Sequence, residues 1–174
     1  CLRSLALTEA VNLAYVVVVD DASTDQTLTN LKRFPWVEVR QAEKNLGFTK
    51  ACNFGALSVD TEFILFLNND TEPLPGFLEP LLQCADDETG VGIVGSKLIY
   101  PDGILQEAGS IIWRDGSGYN YGKNQDAEDY KYINPKNVDY CSGASILIRT
   151  SLFREVNGFD ERAIFQRCNS CQYL

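Results

Sequence analysis

The sequence predicts an α/β domain, with a mostly parallel central sheet flanked by helices and a small mixed β portion in its second half. Three observations carry that prediction. Two unbroken apolar runs, Tyr15 to Val19 and Phe63 to Leu67, are strand-length and have no polar face, as expected of strands covered on both sides. Each ends in a polar cluster, Asp20-Asp21 and Asn68-Asn69-Asp70. Segments with helical spacing stand between and after them, and regular alternation of strand and helix favours a parallel sheet with ligands beyond the carboxyl ends of its strands.

The elements follow in order. Cys1-Leu2-Arg3-Ser4-Leu5 reads as the middle of a helix. After the first apolar run, Ser23-Thr24-Asp25 supplies N-cap chemistry for a helix whose apolar positions are Leu28 and Leu31 and which Pro35 closes. One acid of the Asp20-Asp21 pair is expected to share in that cap. Val37-Glu38-Val39-Arg40 alternates like a short strand, and Asn45-Leu46-Gly47 is a turn. Phe48, Ala51, Cys52, Gly55 and Ala56 share one helical face, and Pro75-Gly76 opens a further helix through Phe77, Leu78, Leu81 and Leu82. In the second half, Val91 to Val94, Lys97 to Ile99 and part of Ile104 to Trp113 read as short strands. Residues 114–137, rich in Gly, Asn, Asp and Tyr, read as one long loop. Asp139 to Ile148 resumes a strand pattern, Ser151 to Val156 a short helix, and Gly158-Phe159-Asp160-Glu161 a turn. No repeat or linker divides the chain, so residues 1–165 are expected to form one domain, followed by an atypical tail, 166–174.

Composition narrows the chemistry. The 174 residues are 45% hydrophobic and 22% charged, which supports a folded core rather than disorder. A net charge of −9 speaks against a nonspecific nucleic-acid or anionic-membrane binder. A bound anion would therefore need a backbone nest, a helix N-terminus or a metal. The absence of His removes Ser-His-Asp and Cys-His catalysis and every His-ligated metal site, leaving carboxylates as candidate bases and ligands. Six dispersed cysteines read as mostly free thiols in a reducing compartment. The Cys168-x-x-Cys171 pair has no partner pair and reads as neither zinc site nor redox motif. The absence of Met and the opening inside a helix suggest a piece of a longer chain. No apolar run approaches the roughly 18 residues of a membrane span.

Two strand ends concentrate the candidate chemistry. Asp70, projected beyond a buried strand, is a candidate ligand for Mg²⁺ or Mn²⁺, which take one or two carboxylates plus substrate phosphates; a helix-cap or turn role is equally open from the residues alone. Asp20-Asp21 sets two adjacent carboxylates at a buried strand end, which is costly unless one finds a partner such as a nucleobase N–H or a ribose hydroxyl. Asn45-Leu46-Gly47-Phe48 is either a plain turn or a loop whose backbone approaches a nucleotide. Neither G-x-G-x-x-G nor G-x-x-x-x-G-K-[ST] occurs, which argues against a dinucleotide oxidoreductase and a P-loop NTPase.

The ordered set Val16-Val17-Val18-Val19-Asp20-Asp21-Ala22-Ser23-Thr24-Asp25, Asn45-Leu46-Gly47-Phe48, Ala51-Cys52-Asn53-Phe54-Gly55 and Phe66-Leu67-Asn68-Asn69-Asp70-Thr71 resembles family 2 nucleotide-sugar glycosyltransferases of GT-A (Rossmann-like) fold, with rhamnosyltransferase-like members closest. The likeness continues through Val94-Gly95-Ser96-Lys97-Leu98, Gln106-Glu107-Ala108-Gly109, Ser142-Gly143-Ala144 and Gly158-Phe159-Asp160-Glu161.

The resemblance implies inverting transfer of a sugar from a nucleotide-diphosphate donor to a hydroxyl on a glycan or lipid-linked acceptor, in cell-surface polysaccharide synthesis. It places Asp20, Asp21, Asn45, Gly47, Lys50, Asn68, Asn69 and Asp70 on the nucleotide-sugar, with Asp21 at the base and Asp70 as ligand of Mg²⁺ or Mn²⁺. Asn68 stands where the family's D-x-D motif has its first acid. Ser142, Gly143 and Ala144 would line the acceptor side. The family pattern begins with a strand that precedes residue 1 here, so the first strand is expected to be missing and the isolated chain marginal in stability. The family's general base is expected beyond residue 165, where this sequence has no acid. A cytoplasmic location follows, possible at the inner face of a membrane with peripheral contact only. The competing readings are a non-catalytic nucleotide-sugar or carbohydrate-binding module on the same fold and, more remotely, a nucleotidyltransferase.

Overall fold

The computed structural model describes residues 1–87 and 90–162. Two short helices, α1 (Leu2–Leu5) and α2 (Ala10–Leu13), open the chain. Thr8 joins them: its Oγ1 donates to the Leu5 carbonyl at 2.8 Å and accepts from the Ala10 N–H at 3.3 Å. There follow β1 (Val16–Asp20), α3 (Thr27–Leu31), β2 (Val37–Gln41), α4 (Phe48–Ala56), β3 (Phe63–Leu67) and α5 (Leu78–Asp87). The strand–helix alternation read from the sequence is therefore present, in the expected order.

The second half carries β4 (Ile93–Gly95), β5 (Leu98–Ile99), β6 (Leu105–Glu107), β7 (Ser110–Ile112), β8 (Gly118–Asn120), a 3₁₀ turn at Tyr130–Tyr132, β9 (Ser145–Arg149) and α6 (Thr150–Glu155). Two expectations change here. Residues 114–137 are not one loop, because β8 returns on β7 as a hairpin with Ile111 opposite Tyr119. The strand expected from Asp139 begins only at Ser145, because residues 142–144 form a turn that engages side chains instead of a ladder.

The pairing refines the sheet. β1 and β2 run parallel, Val16 opposite Val37 through Asp20 opposite Gln41. β3 and β4 both pair antiparallel with β9, which lies between them. Among the described residues parallel pairing is confined to β1–β2, and β1 and β3 belong to separate ladders. β9 reads as a near-continuous apolar run because both its faces are covered. Leu147 packs with Leu81 and Ala85 of α5 on one face. Ile146 and Ile148 pack with Phe153 of α6 on the other, joined by Phe66 and Phe159. The five apolar residues of β3, by contrast, are each only half-buried.

α4 is fixed near its carboxyl end. A Cβ on Gly55 would come within 2.8 Å of Val19 Cγ2, so glycine lets this helix lie directly on β1. Arg40 of β2 reaches its carboxyl end and donates to the carbonyls of Gly55 at 2.9 Å and Leu57 at 2.6 Å. These satisfy acceptors that a helix end leaves open. Among the described residues no helix is long and apolar enough to cross a membrane.

Candidate functional site

At the carboxyl end of β1, two neighbouring acids have opposite circumstances. Asp21 is half-buried, and its two oxygens accept the backbone N–H groups of Leu46, at 2.6 Å, and Gly47, at 3.0 Å. It ties the turn before α4 to the strand end. Gly47 makes that geometry possible with φ +77° and ψ 168°, a region essentially restricted to glycine. Asp20 is 2% exposed, and neither carboxylate oxygen has a partner among the described residues. An orphaned buried carboxylate is costly, so this position calls for a donor.

Among the described residues neither Asp20 nor Asp21 bonds to the start of α3, but Asp25, within the segment read as cap chemistry, does: it accepts the Thr27 hydroxyl at 2.5 Å and the Thr27 N–H at 2.9 Å, which together hold its carboxyl below the usual carboxylate range. The chain leaves β1 too abruptly for Asp20 or Asp21 to reach that helix: Ala22 takes the left-handed conformation at φ +60°. Beyond it lies an open depression of about 510 Å³ lined by Ala22, Ser23, Thr24, Gln41, Ala42 and Glu43, at the carboxyl ends of the two parallel strands. Asn45, in the turn before α4, and Lys50, in the first turn of α4, are exposed.

The end of β3 is built differently. Asn68 is half-buried, and its backbone N–H donates to the Ala144 carbonyl at 2.9 Å. The Asn68 carbonyl in turn accepts the Thr71 hydroxyl at 2.7 Å. Between them Asn69 and Asp70 are exposed. The backbone of this segment is thus anchored while its side chains stay available. Ser142 and Ala144 are buried and Gly143 half-buried; Ser142 Oγ accepts the Ala144 N–H at 3.2 Å. The structure therefore joins the predicted acceptor-side turn to the predicted metal-binding segment through one backbone hydrogen bond.

The donor set around Asp70, one carboxylate and the amide oxygens of Asn68 and Asn69, is all oxygen and suits a hard cation such as Mg²⁺ or Mn²⁺. Among the described residues no three His, Cys, Asp or Glu side chains gather to hold a metal ion. A cation here would complete its shell with water and phosphate oxygens, the usual habit of Mg²⁺.

Sequence reasoning left two residues as mere members of a motif. Asn53 of α4 grips the Gly158–Glu161 turn: its Nδ2 donates to the Phe159 carbonyl and its Oδ1 accepts the Phe159 N–H, both at 2.9 Å. Phe159 then packs on Phe66 of β3, with ring centroids 4.9 Å apart. Glu107 of β6 is 1% exposed and accepts the Ser142 N–H at 3.0 Å. A charged residue inside a short strand pattern was the available signal for the second; no local pattern marks the first. The expected position of the general base, beyond residue 165, and the 166–174 tail lie outside the described residues.

An open depression at the carboxyl ends of parallel strands is the general plan of a nucleotide-binding α/β domain. The sequence profile described as Glycosyl transferase family 2 matches residues 1–156. The chain belongs to this family. The O-antigen biosynthesis protein RfbC of Myxococcus xanthus is 28% identical over 176 residues, which span 95% of this chain and 13% of that protein. An N-acetylglucosaminyl-diphospho-decaprenol L-rhamnosyltransferase of Mycobacterium tuberculosis is 29% identical over 171 residues, 84% of this chain and 55% of that protein. A mannosyltransferase from Pyrobaculum calidifontis, solved in complex with GDP-Man and Mn²⁺, superposes with a TM-score of 0.64 at 17% identity, covering 92% of this chain and 42% of that one. The family 2 assignment and the GT-A glycosyltransferase fold agree with the resemblance carried by the motifs. The chain spans at most about half the length of these relatives.

Proposed function

We propose that this family 2 domain binds a nucleoside-diphosphate sugar at the ends of β1, β2 and β3 and serves its inverting transfer to a hydroxyl acceptor. The acceptor would be a growing glycan or a lipid-linked saccharide, in cell-surface polysaccharide synthesis. The observation that carries this reading is the open depression at the carboxyl ends of two parallel strands, with Asp21 at the same strand end shaping the turn before α4 through the Leu46 and Gly47 N–H groups. Asp20, buried at the end of β1, would support the strand end behind the nucleotide rather than touch it. Because Asp21 is occupied by Leu46 and Gly47, its part at the base would be to place the turn, with Asn45, Gly47 and Lys50 facing the nucleotide-sugar.

Lys50 is an exposed cation in the first turn of α4, near enough in sequence to the clamped turn to meet a diphosphate. Asp70, with Asn68 and Asn69, would hold Mg²⁺ or Mn²⁺. When bound, such an ion neutralises charge on a departing diphosphate. The net charge of −9 makes some local positive device necessary for an anionic donor. Ser142, Gly143 and Ala144 would border the acceptor. The proposed setting is the cytoplasmic side of a membrane, touched peripherally if at all. Both relatives named above for saccharide synthesis support the reading.

Titration calorimetry of the chain with UDP- and dTDP-sugars, with and without Mn²⁺, tests it. Saturable, Mn²⁺-dependent binding is expected. A folded chain that binds none of these donors would overturn the reading.

A further inference from the structure

We propose that Glu107 is a positioning residue of the transfer site: its carboxyl holds the Ser142–Ala144 turn, and through that turn the backbone from which Asp70 is presented. The inference rests on the glycosyltransferase reading above and assigns a role to a residue outside the donor site.

Glu107 ends β6 opposite Leu98 of β5, with 1% of its surface exposed. Its flanking residues in the strand, Leu105 and Gln106, are also buried. A carboxyl group in such a place is disfavoured unless it makes hydrogen bonds that the fold needs. Oε1 accepts the Ser142 N–H at 3.0 Å, while Oε2 is buried without a partner among the described residues. From Ser142 the connection continues without a gap. Ser142 Oγ accepts the Ala144 N–H at 3.2 Å, and the Ala144 carbonyl accepts the Asn68 N–H at 2.9 Å. One residue further, Ser145 Oγ and Ser96 Oγ lie 2.6 Å apart, pinning the start of β9 to the strand end at Gly95.

Three consecutive hydrogen bonds thus lead from β6 to the end of β3, and Asp70 lies two residues beyond. Burial of both oxygens prevents Glu107 from touching a substrate, so its influence must pass through this turn. Burial also raises the Glu107 carboxyl above its ordinary value, which favours the neutral form in that surrounding. Glutamine reproduces the acceptor oxygen and the shape of a neutral carboxyl; alanine reproduces neither.

The intact chain carrying Glu107→Ala and Glu107→Gln distinguishes this from a role in stability alone. Site-resolved amide hydrogen exchange is read at Ser142, Ala144 and Asn68, with Leu147 of β9 as internal reference. In E107A, the three amides are expected to exchange about tenfold faster relative to Leu147, and in E107Q to remain within about threefold of wild type. In calorimetry on the folded variants, E107A is expected to lose about tenfold in Mn²⁺-dependent UDP affinity, the order that loss of a supporting group costs a metal site, and E107Q to stay within about threefold of wild type. Unchanged affinity in E107A, equal acceleration at Leu147, an affinity loss matched by the loss of folded protein, or an E107Q variant as damaged as E107A overturns the proposal. Should E107A not fold, a folded E107Q that loses the affinity overturns it equally. Failure of wild type to bind UDP would instead strike the glycosyltransferase reading, while the exchange data still judge the bracing.

Discussion

The two strand ends that face the proposed donor site solve the same problem in opposite ways. At the end of β1 the carboxylates are withdrawn: Asp21 is spent on the Leu46 and Gly47 amides, and Asp20 is sealed from water. At the end of β3 the backbone is withdrawn instead, with Asn68 bound to Ala144, while Asp70 stands in solvent. The first arrangement builds a surface whose shape is settled before any ligand arrives. The second holds a charge ready for a partner that the protein itself does not supply. Stability should therefore be concentrated at the first end and ligand affinity at the second.

The largest expected effect tests that division at β3. Asp70→Asn removes an exposed charge that has no partner among the described residues, so the unfolding free energy should change by no more than about 0.5 kcal/mol. Mn²⁺-dependent nucleotide binding should fall by about 100-fold, at the upper end of what loss of a supporting group costs a metal site. Calorimetry on the folded variant reads both. Unchanged affinity would break the comparison.

At β1 the reverse is expected. Asp21→Ala leaves two partly buried N–H groups without their charged acceptor and should cost about 2–3 kcal/mol in denaturant unfolding. Nucleotide binding would weaken too, through loss of the Asn45–Gly47 turn rather than loss of a direct contact. A nearly neutral effect on stability would show that the turn holds its shape unaided.

A smaller effect concerns the brace behind the β3 end. Burial raises Glu107 above its ordinary value of 4.5, with the Ser142 N–H opposing part of the shift. The native state therefore binds this proton more tightly than the unfolded chain. Its contribution is fully present below about pH 4.5 and is lost as pH rises through the raised native value. Glu107→Gln removes that dependence, so wild type should lose stability relative to E107Q on going from pH 4 to neutrality. Thermal melts of the pair across that interval read the difference. Glu9, Asp25 and Asp160 are held below the ordinary carboxylate range by hydrogen bonds and change in the other sense, but equally in both proteins.

These tests also separate what the sequence discloses from what it conceals. The alternation of strands and helices, the polar strand ends and the Gly47 turn are local patterns, and each appears where its pattern stands. The antiparallel insertion of β9 between β3 and β4 is not local. An all-apolar strand looks alike in parallel and antiparallel company, since only burial on both faces shapes its composition. The site divides in the same manner. Asp70 and Asp20-Asp21 are visible as acids at strand ends, whereas which acid is consumed by Leu46 and Gly47 depends on a contact across 25 residues. Asn53 and Phe159 lie 106 residues apart, and nothing in either neighbourhood announces the pair.

The smallest effect sharpens the β1 side. Ala22 holds φ +60° at the edge of the depression, between the clamped Asp21 and Ser23. A residue with a Cβ pays roughly 1–2 kcal/mol for this conformation, which glycine adopts freely. Ala22→Gly should therefore stabilise the folded chain by up to about 1 kcal/mol, the greater freedom of glycine in the unfolded chain offsetting part of the relief. Chemical denaturation should register a higher midpoint with an unchanged slope. If the β1 end is truly shaped before a ligand binds, nucleotide affinity should not move, because the backbone already sits in its final conformation. An affinity gain larger than the stability gain would mean that Ala22 reaches this geometry only on binding, and the contrast with the β3 end would then be one of degree.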